Sequence, residues 1–423
     1  MRAARNQRDH TNAMNGTKTM NRIETMGGAM AVRHSTIGRF RQSMLVLIAA
    51  AVAGICLLAA AGAAKAAPYG IESASTELST TQAGAHPDLK VEFKLTKNET
   101  TGKPEYAPKT VVTDLPPGLV GNATNFATCD IADVIRMTNN QQPDNRKACP
   151  RTANVGYMEI ETRYAYTALG FNLRERVYRL PSNPGEPAAF ATSFFSQPIR
   201  LTAAVRSDGD YGLQVTADKL PEPVLTEFVN TVFWGVPADH QGPGELFDGN
   251  FKLNGSIPLP PPTDPGYRFG NPLEGMPRTP LLTNPTSCSG QAQAWGLGVV
   301  SWAQPSQLLA PPAPLSTPAI TGCEKVEFYP TISAKPDSSQ AGQPSGLQVD
   351  VTVPQTNQAT QLGTSHLKDA VVTLPKGVTL STALAEGLAG CTDAQFAVHS
   401  KSADNCPPAS KIGTVQIDTP LLE

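Results

Sequence analysis

Six cysteines beyond residue 67 are the most informative reactive side chains in this sequence. An even number of cysteines is typical of disulfide bonds in chains that leave the cytoplasm. Two pairs each lie within one short segment, and the remaining two cysteines flank a proline-rich stretch. The spacing therefore predicts three disulfides, Cys129–Cys149, Cys391–Cys406 and Cys288–Cys323.

Neither the carboxylates nor the histidines form a pattern that predicts a metal or a cofactor. Asp208 and Asp210 in "SDGDYG" resemble the start of a calcium loop, but the distal carboxylate of such a loop is missing. Asp and Gly also suit a plain hairpin turn, which is the interpretation we favour. The four histidines beyond residue 67 are not spaced from one another as metal ligands are, and each is predicted to be solvated: His86, His240, His366 and His399.

Three tryptophans raise the question of carbohydrate binding. Trp234 lies within an apolar stretch and is predicted to belong to the core. Trp295 and Trp302 could contact a glycan by stacking on sugar rings. They are seven residues apart, however, so a single strand would point them to opposite faces.

Charge and motifs exclude several classes of function. The chain has 34 Lys/Arg and 36 Asp/Glu, and residues 1–67 hold nine of the former and two of the latter. The remaining 25 basic and 34 acidic residues give a formal net charge of −9, which does not favour nucleic acid as a partner. Without a G-x-S-x-G, H-E-x-x-H, P-loop or G-x-G-x-x-G motif, the sequence does not predict an enzyme.

One strand pattern occurs twice in the chain. "QAGAHPDLKVEFKL" begins at Gln82, and "QAGQPSGLQVDVTV" begins at Gln340. Apolar residues alternate at matching positions in both stretches, as they do in a strand with one buried face. Such self-similarity predicts an internal repeat.

Further phrases follow in the same order in both copies. "VVTDLPPGL" begins at Val111 and "VVTLPKGVTL" at Val371, and each predicts a strand that ends in a Pro-x-Gly turn. A Cys…Cys-Pro segment comes next, and Thr392 with Gln395 forms a capping-box pattern that predicts a short helix. "VGYMEIET" and "IGTVQIDT" then predict a final strand in each copy.

A different segment separates the two copies. "RLTAAVRSDGDYGLQVTA" alternates on both sides of a turn and predicts a hairpin. "PVLTEFVNTVFWGVP" fits a helical face at first and a strand later, which predicts a short helix leading into a strand. Residues 256–287 and 303–320 are rich in proline and predict long extended loops.

The N-terminus has the features of an export signal. Basic residues precede the apolar run "MLVLIAAAVAGICLLAAAGAA", and Ala64-Lys65-Ala66 is a small-x-small cleavage pattern. The alternative is an uncleaved membrane anchor, because the run is just long enough to span a bilayer. Localisation is therefore predicted as secreted or cell surface, with membrane contact only through this segment if it stays uncleaved.

Together these patterns predict a mainly β protein of tandem β-sandwich-like domains with short helices and long Pro-rich loops. The predicted parts are a signal peptide (1–67), module copy 1 (68–165), a middle mainly-β domain (166–322) and module copy 2 (323–423). Copy 2 stops where its own middle segment would begin, which predicts a truncated product or part of a longer array.

Several phrases of the chain together resemble a known group of proteins. "VYRLPSNPGEPAAFA", "SDGDYGLQV", "FWGVPADH" and "TNPTSCSG" follow the first copy in this order. The arrangement resembles uncharacterised exported repeat proteins of high-GC Gram-positive bacteria with tandem LPxG…C…CP…IGT modules. That resemblance implies an exported repeat protein and no catalytic residues.

The function expected from the sequence is an exported structural or adhesive repeat protein of the cell envelope. The alternative is a carbohydrate-binding protein of the cell surface. Expected partners are cell-envelope glycan or other surface proteins.

Overall fold

The fold is known from a computed structural model. All described residues belong to one compact unit, Ala66–Glu423, and the other unit, Met1–Lys65, lies outside the described part together with the predicted signal peptide and its cleavage site. The structure describes residues 69–137, 149–164, 170–194, 197–207, 209–240, 252–253, 257–258, 277–379, 387–397, 400 and 402–419.

The described chain is mainly β, as predicted. The strands in chain order are β1 (Ile71–Leu78), β2 (Leu89–Leu95), β3 (Pro108–Asp114), β4 (Val120–Gly121), β5 (Asn154–Tyr164), β6 (Gly170–Leu180), β7 (Ala188–Phe194), β8 (Gln197–Val205), β9 (Leu213–Ala217), β10 (Val224–Phe233), β11 (Lys252–Leu253), β12 (Ile257–Pro258), β13 (Leu282–Thr283), β14 (Gln293–Ser301), β15 (Leu308–Leu309), β16 (Leu315–Thr317), β17 (Thr331–Pro336) and β18 (Leu347–Thr352).

Helices are few and short in the described chain. Two are α-helices, α1 (Ile131–Met137) and α2 (Asp393–Phe396), and the 3-10 turns are Arg151–Ala153, Pro237–His240, Cys323–Lys325 and Pro408–Ser410. The predicted capping box at α2 is confirmed, because Thr392 accepts from the Gln395 backbone while the Gln395 side chain accepts from the Thr392 backbone. Within the described residues, no helix is both long enough and apolar enough to cross a membrane.

One antiparallel sheet of 14 strands forms the main body of the fold. Its order is β1-β2-β10-β5-β6-β7-β8-β9-β3-β14-β15, with β11 and β12 attached to β6 and β16 attached to β14. The sheet curls over so that its two ends meet. Beyond β1, Ala83 donates to the carbonyl of Thr321 (2.8 Å), and Thr321 donates to that of Thr81 (2.9 Å). The curled sheet forms two facing layers that enclose the core, in keeping with the predicted sandwich-like class.

Strands of predicted copy 1 and of the predicted middle domain alternate in this sheet. β3 lies between β9 and β14, and β5 lies between β10 and β6. Both neighbours of each strand therefore come from residues 166–322. The segments 68–165 and 166–322 do not form separate domains, because neither could satisfy its backbone hydrogen bonds alone.

The stretch "PVLTEFVNTVFWGVP" contains no helix, so that part of the prediction is wrong. Val224–Phe233 is one continuous strand, β10, which pairs with β2 on one side and β5 on the other. Most of its side chains on both faces are buried. Because both faces of β10 are covered and a bulge after Thr226 interrupts its alternation, the strand lacks the period-two pattern that would mark it in the sequence.

Two local predictions for the middle segment have different outcomes. The hairpin is confirmed, since β8 and β9 pair from Leu201 with Ala217 to Val205 with Leu213. Residues 303–320 are not an uninterrupted loop, because β15 and β16 form within them and pair with β14. Of the other predicted loop, 256–287, residues 256 and 259–276 lie outside the described chain.

All three predicted disulfides are present: Cys129–Cys149, Cys288–Cys323 and Cys391–Cys406. The first is buried beside Val134 of α1 and packs on the outer face of β6 and β7, against Tyr178 and Ala191. Closing a loop of this size stabilises a fold by about 3 kcal/mol in the chain-entropy model. Three such bonds indicate an oxidising compartment outside the cytoplasm.

Predicted copy 2 is only partly formed as strands. β17 and β18 pair with each other, but the face predicted to be buried is exposed at Leu347, Val349 and Val351. The strands predicted at Val371 and Ile412 are wrong for this structure, since residues 371–375 and 411–419 pair with no strand of the described chain. The Pro-x-Gly turn between them does form, with Val378 donating to the Pro375 carbonyl at 3.1 Å.

Two glycines at matching places in "VGY" and "IGT" provide a test of the packing around β5. A Cβ on Gly156 would lie 2.0 Å from the Val232 carbonyl oxygen of β10, whereas a Cβ on Gly413 would meet no described atom within 4 Å. We expect Gly156→Ala to lower the free energy of unfolding by about 1–3 kcal/mol, because a backbone atom must move. Gly413→Ala should change it by less than about 0.5 kcal/mol.

Urea denaturation of the two variants measures this difference. Equal stability of Gly156→Ala and Gly413→Ala would contradict the close approach of β10 to β5.

Candidate functional site

A long apolar cavity lies inside the curled sheet. Its volume is about 460 Å³, within the range of small-molecule sites. Strands β2, β3, β5, β8, β9 and β10 supply most of its lining. The cavity therefore depends on both segments that share the sheet, and neither segment forms it alone.

Strand alternation explains which side chains line the cavity. Every second residue of β2 points inward, namely Leu89, Val91 and Phe93, while the residues between them point away. On β10 the inward residues are Val224 and Thr226 and then Val229, Thr231 and Phe233. This change of parity coincides with the register shift between Thr226 and Phe228, where a bulge re-aims the rest of the strand.

The lining contains no charged side chain among the described residues. Its polar side chains are those of five threonines and a tyrosine: Thr113, Thr162, Thr226, Thr231, Thr419 and Tyr211. Thr162 already donates its hydroxyl to the Leu225 carbonyl, at 3.0 Å. A water molecule needs about two to four polar partners to be held firmly, so these walls favour apolar contents.

One end of the cavity reaches the surface at the turn between β8 and β9. Val205 and Tyr211 line the cavity there and are 40% and 58% exposed. Arg206 lies at the same turn, where its guanidinium donates to the carboxylate of Asp210 at 2.9 and 2.5 Å. Among the described residues of this turn, Arg206 and Asp210 are thus paired with each other, and neither lines the cavity.

Charges elsewhere on β10 also point away from the cavity. Glu227 is 6% exposed and follows the inward-facing Thr226, so it projects to the opposite face. Lys97 and Arg163 both donate to its carboxylate, Lys97 from 2.6 Å. A buried carboxylate of this kind requires such partners, and here they are supplied outside the cavity wall.

The two tryptophans proposed to contact glycan are not a surface platform. Trp295 is 7% exposed and donates its indole N–H to the hydroxyl of Thr317 at 3.1 Å. Trp302 donates its indole N–H to the Leu220 carbonyl at 2.9 Å, and the ammonium group of Lys109 lies over its ring. Trp295 is a core side chain, so the stacking role predicted for it is wrong. Trp234 is buried, as predicted.

The carboxylates and histidines considered as metal ligands have other partners. Asp210 binds Arg206 and accepts from the Gly212 backbone, which makes it part of the predicted turn, while Asp208 lies outside the described residues. His86 is not merely solvated, since its ring contacts the carbonyls of Leu282 and Gln361 at 3.0 Å.

The other histidines do not converge on a site either. His240 contacts Asp88 at 3.1 Å, His366 is exposed as predicted, and His399 lies outside the described residues. Across the described chain, no three His, Cys, Asp or Glu side chains are grouped to hold a metal ion.

Sequence reasoning did not identify the cavity. Alternating Val, Leu and Thr residues predict a buried face, but they predict equally a filled core and a hollow one. The available signal was the repeated placement of threonine on inward positions, as at Thr113, Thr162 and Thr231. This signal is weak, because threonine is common in strands.

No protein-family model, curated protein or solved structure matches this chain. The resemblance to exported repeat proteins therefore stays a prediction.

The ion pair of Glu186 and Arg200 provides a test of the sheet at the entry to β7. Arg200 donates to both carboxylate oxygens at 2.9 and 2.7 Å, and this bonding lowers the pKa of Glu186 from 4.5 to about 2. Because the pKa is lower in the folded state, the pair stabilises the fold above about pH 4.5, and the contribution is lost as pH falls towards 2.

We expect Glu186→Gln to lower the free energy of unfolding by about 1–2 kcal/mol near pH 7. The difference from the unaltered protein should shrink as the pH falls from about 4.5 and vanish only below about 2, where the carboxyl is protonated in both states. Denaturant unfolding over this pH range measures the effect, with the exposed Glu105→Gln as control. A deficit that persists at low pH would contradict the ionic origin of the stabilisation.

Proposed function

We propose that this protein is an exported structural or adhesive repeat protein of the cell envelope. In this proposal the second repeat copy binds β-strands of a further unit of the same kind. The observation that carries it is a contrast between matched glycines, which are in close contact in copy 1 and open in copy 2.

The order of elements supports a repeat. In residues 68–165, a strand pair is followed by a Pro-x-Gly turn, a disulfide that encloses a short helix, a 3-10 turn after Cys-Pro, and β5. Residues 323–423 have the same order, with β17 and β18, a second such turn, α2 between Cys391 and Cys406, and Pro408–Ser410.

Strand formation in the two copies follows a simple rule. β1 and β2 pair with each other, and so do their counterparts β17 and β18. β3 and β5 obtain both neighbours from residues 166–322, and their counterparts, 371–375 and 411–419, form no strand in the described chain. What copy 2 lacks is therefore the kind of partner that residues 166–322 supply to copy 1.

The matched glycines identify where that partner would lie. Gly156 leaves room for the backbone of β10, and its counterpart Gly413 leaves the same room with nothing in it among the described atoms. Gly118 has φ +86° and lies against Pro285, which a Cβ would meet at 3.2 Å. Its counterpart Gly377 has φ +98° and meets no described atom. At Gly413 a side chain is thus absent where only a partner would exclude it, whereas the positive φ of Gly377 favours glycine by itself.

The occupant proposed for copy 2 is a segment that resembles residues 166–322 and provides a strand like β10. Backbone pairing along residues 411–419 would provide much of its affinity, as in other cases of strand addition. Exposed Val415 and Ile417 would then be covered as Met158 and Ile160 are in copy 1. Units joined in this way form an assembly, which suits a structural or adhesive role.

Export is supported by two independent features. Residues 33–66 have the order of a signal peptide, and three disulfides require an oxidising environment to persist. A polysaccharide-binding role is not proposed, because Trp295 is buried.

A labelled synthetic peptide of residues 224–234 tests the strand-binding role of copy 2. We expect it to bind the full chain at about micromolar concentration, since main-chain pairing and apolar burial both contribute. Gly413→Val should weaken binding by about tenfold, because the new side chain occupies the space that the strand needs. Fluorescence anisotropy measures both affinities.

Gly390→Val is the matched control, because a Cβ on Gly390 also meets no described atom within 4 Å. Equal affinities of the Gly413→Val and Gly390→Val variants would show that the peptide binds elsewhere. Failure of the unaltered chain to bind would contradict the proposal itself.

Export is tested by charging the apolar run. Leu47→Arg together with Leu57→Arg should retain the protein in the cytoplasm, because a charged segment is a poor signal. The unaltered chain and a Thr17→Arg control should both appear in the envelope or medium with oxidised cysteines. Cell fractionation with thiol labelling measures this, and export of the doubly charged variant would refute the assigned signal.

A further inference from the structure

We propose that the cavity inside the sheet binds a long, uncharged hydrocarbon chain such as the acyl part of a lipid. This is a binding activity in addition to the assembly of repeat units. Apart from Ile417 and Thr419, the described lining comes from residues 89–282, whose strands belong mainly to the 14-stranded sheet.

The shape of the cavity favours a chain. Its lining extends along β10 from Val224 to Phe233, a distance of about 30 Å at strand geometry. A space of this length can hold an extended run of methylene groups.

The chemistry of the wall favours an uncharged chain. Aromatic and aliphatic side chains such as Phe93, Ile160, Phe190 and Leu201 dominate the lining. The described lining offers no cationic side chain to a carboxylate and no anionic one to an amine. A buried charge without a partner is costly, so a charged end must stay outside.

The open end provides a place for a polar head. Val205 and Tyr211 are at once part of the lining and exposed, so a chain that enters between them keeps its head group in water. Arg206 is bonded there to Asp210 and to the carbonyls of Leu115 and Leu213. With these charges paired, the opening favours a neutral head such as a hydroxyl.

Residues from the end of copy 2 also reach this site. Ile417 and Thr419 line the cavity, and Ile417 is 76% exposed. They are the counterparts of Ile160 and Thr162 of β5, which line the cavity from within the sheet. The extended segment 411–419 thus lies against the space that the chain would occupy.

The uncharged fluorophore N-phenyl-1-naphthylamine is a direct probe of the site. We expect its fluorescence to rise on mixing with the full chain, and primary alcohols of increasing length to displace it. Affinity should increase with each added methylene and then level off once the extended alcohol is as long as the cavity. Fatty acids of equal length should displace the probe less well at neutral pH, because their carboxylate must stay in water and keeps the adjacent methylene groups outside the cavity with it.

Neighbouring alanines on β8 provide a matched pair of variants. Ala203 points into the cavity, whereas Ala204 points away from it. Ala203→Phe fills the space and should weaken probe binding by about tenfold, while Ala204→Phe should leave it unchanged. If Ala203→Phe fails to fold, as judged by circular dichroism, Ala217→Phe on β9 fills the same space from the next strand.

The probe could instead bind the exposed apolar face of β18, which carries Leu347, Val349 and Val351. Val349→Asp places a charge on that face, and it should not alter the affinity if the probe binds in the cavity. Loss of binding with Val349→Asp, equal binding by the Ala203→Phe and Ala204→Phe variants, or no binding by the unaltered chain would each overturn the proposal. If both Ala203→Phe and Ala217→Phe misfold, the alcohol series decides. Affinity stops rising with chain length only if the length of chain that the protein encloses is limited.

Discussion

Backbone hydrogen bonding across the two segments is the constraint on which the structure depends. β3 and β5 belong to residues 68–165, yet each is flanked on both sides by strands from residues 166–322. A strand without neighbours leaves its N–H and C=O groups to water and gains little from burying its side chains. The two segments therefore fold as one unit.

The cavity is a consequence of the same interleaving. When the sheet curls until its ends meet, the inner faces of β2, β5 and β10 oppose those of β3, β8 and β9. Their inward side chains are mostly Val, Leu, Ala and Thr, which are too small to fill the space between the layers. A bulge in β10 shifts the alternation after Thr226, so that Val229, Thr231 and Phe233 continue the inner face begun by Val224 and Thr226.

Pairing between strands and disulfide bonds have different roles in this architecture. Cys129–Cys149 and Cys391–Cys406 each close a local loop, and the helices beside them form in both copies. Their formation needs no distant partner. β5 and residues 411–419 have closely related sequences but different structures, because only β5 has neighbours on both sides. Local chemistry thus forms the turns and clamps, and tertiary pairing forms the strands between them.

From the sequence alone one can determine the mainly β class, the three disulfide pairs, the β8–β9 hairpin and the capped helix at Asp393, because each depends on contacts close in the chain or on simple counting. The short helix expected within "PVLTEFVNTVFWGVP" is a strand instead, since both of its faces are covered and a bulge interrupts its alternation. Trp295, considered for glycan contact, is buried, because the burial of a strand residue depends on which elements pack over it. Only the tertiary structure decided that two segments share one sheet, that Gly156 faces a neighbouring backbone, and that the core is hollow. These depend on which strands become neighbours and on the volume left between layers, and neither quantity is encoded in the pattern of any single stretch.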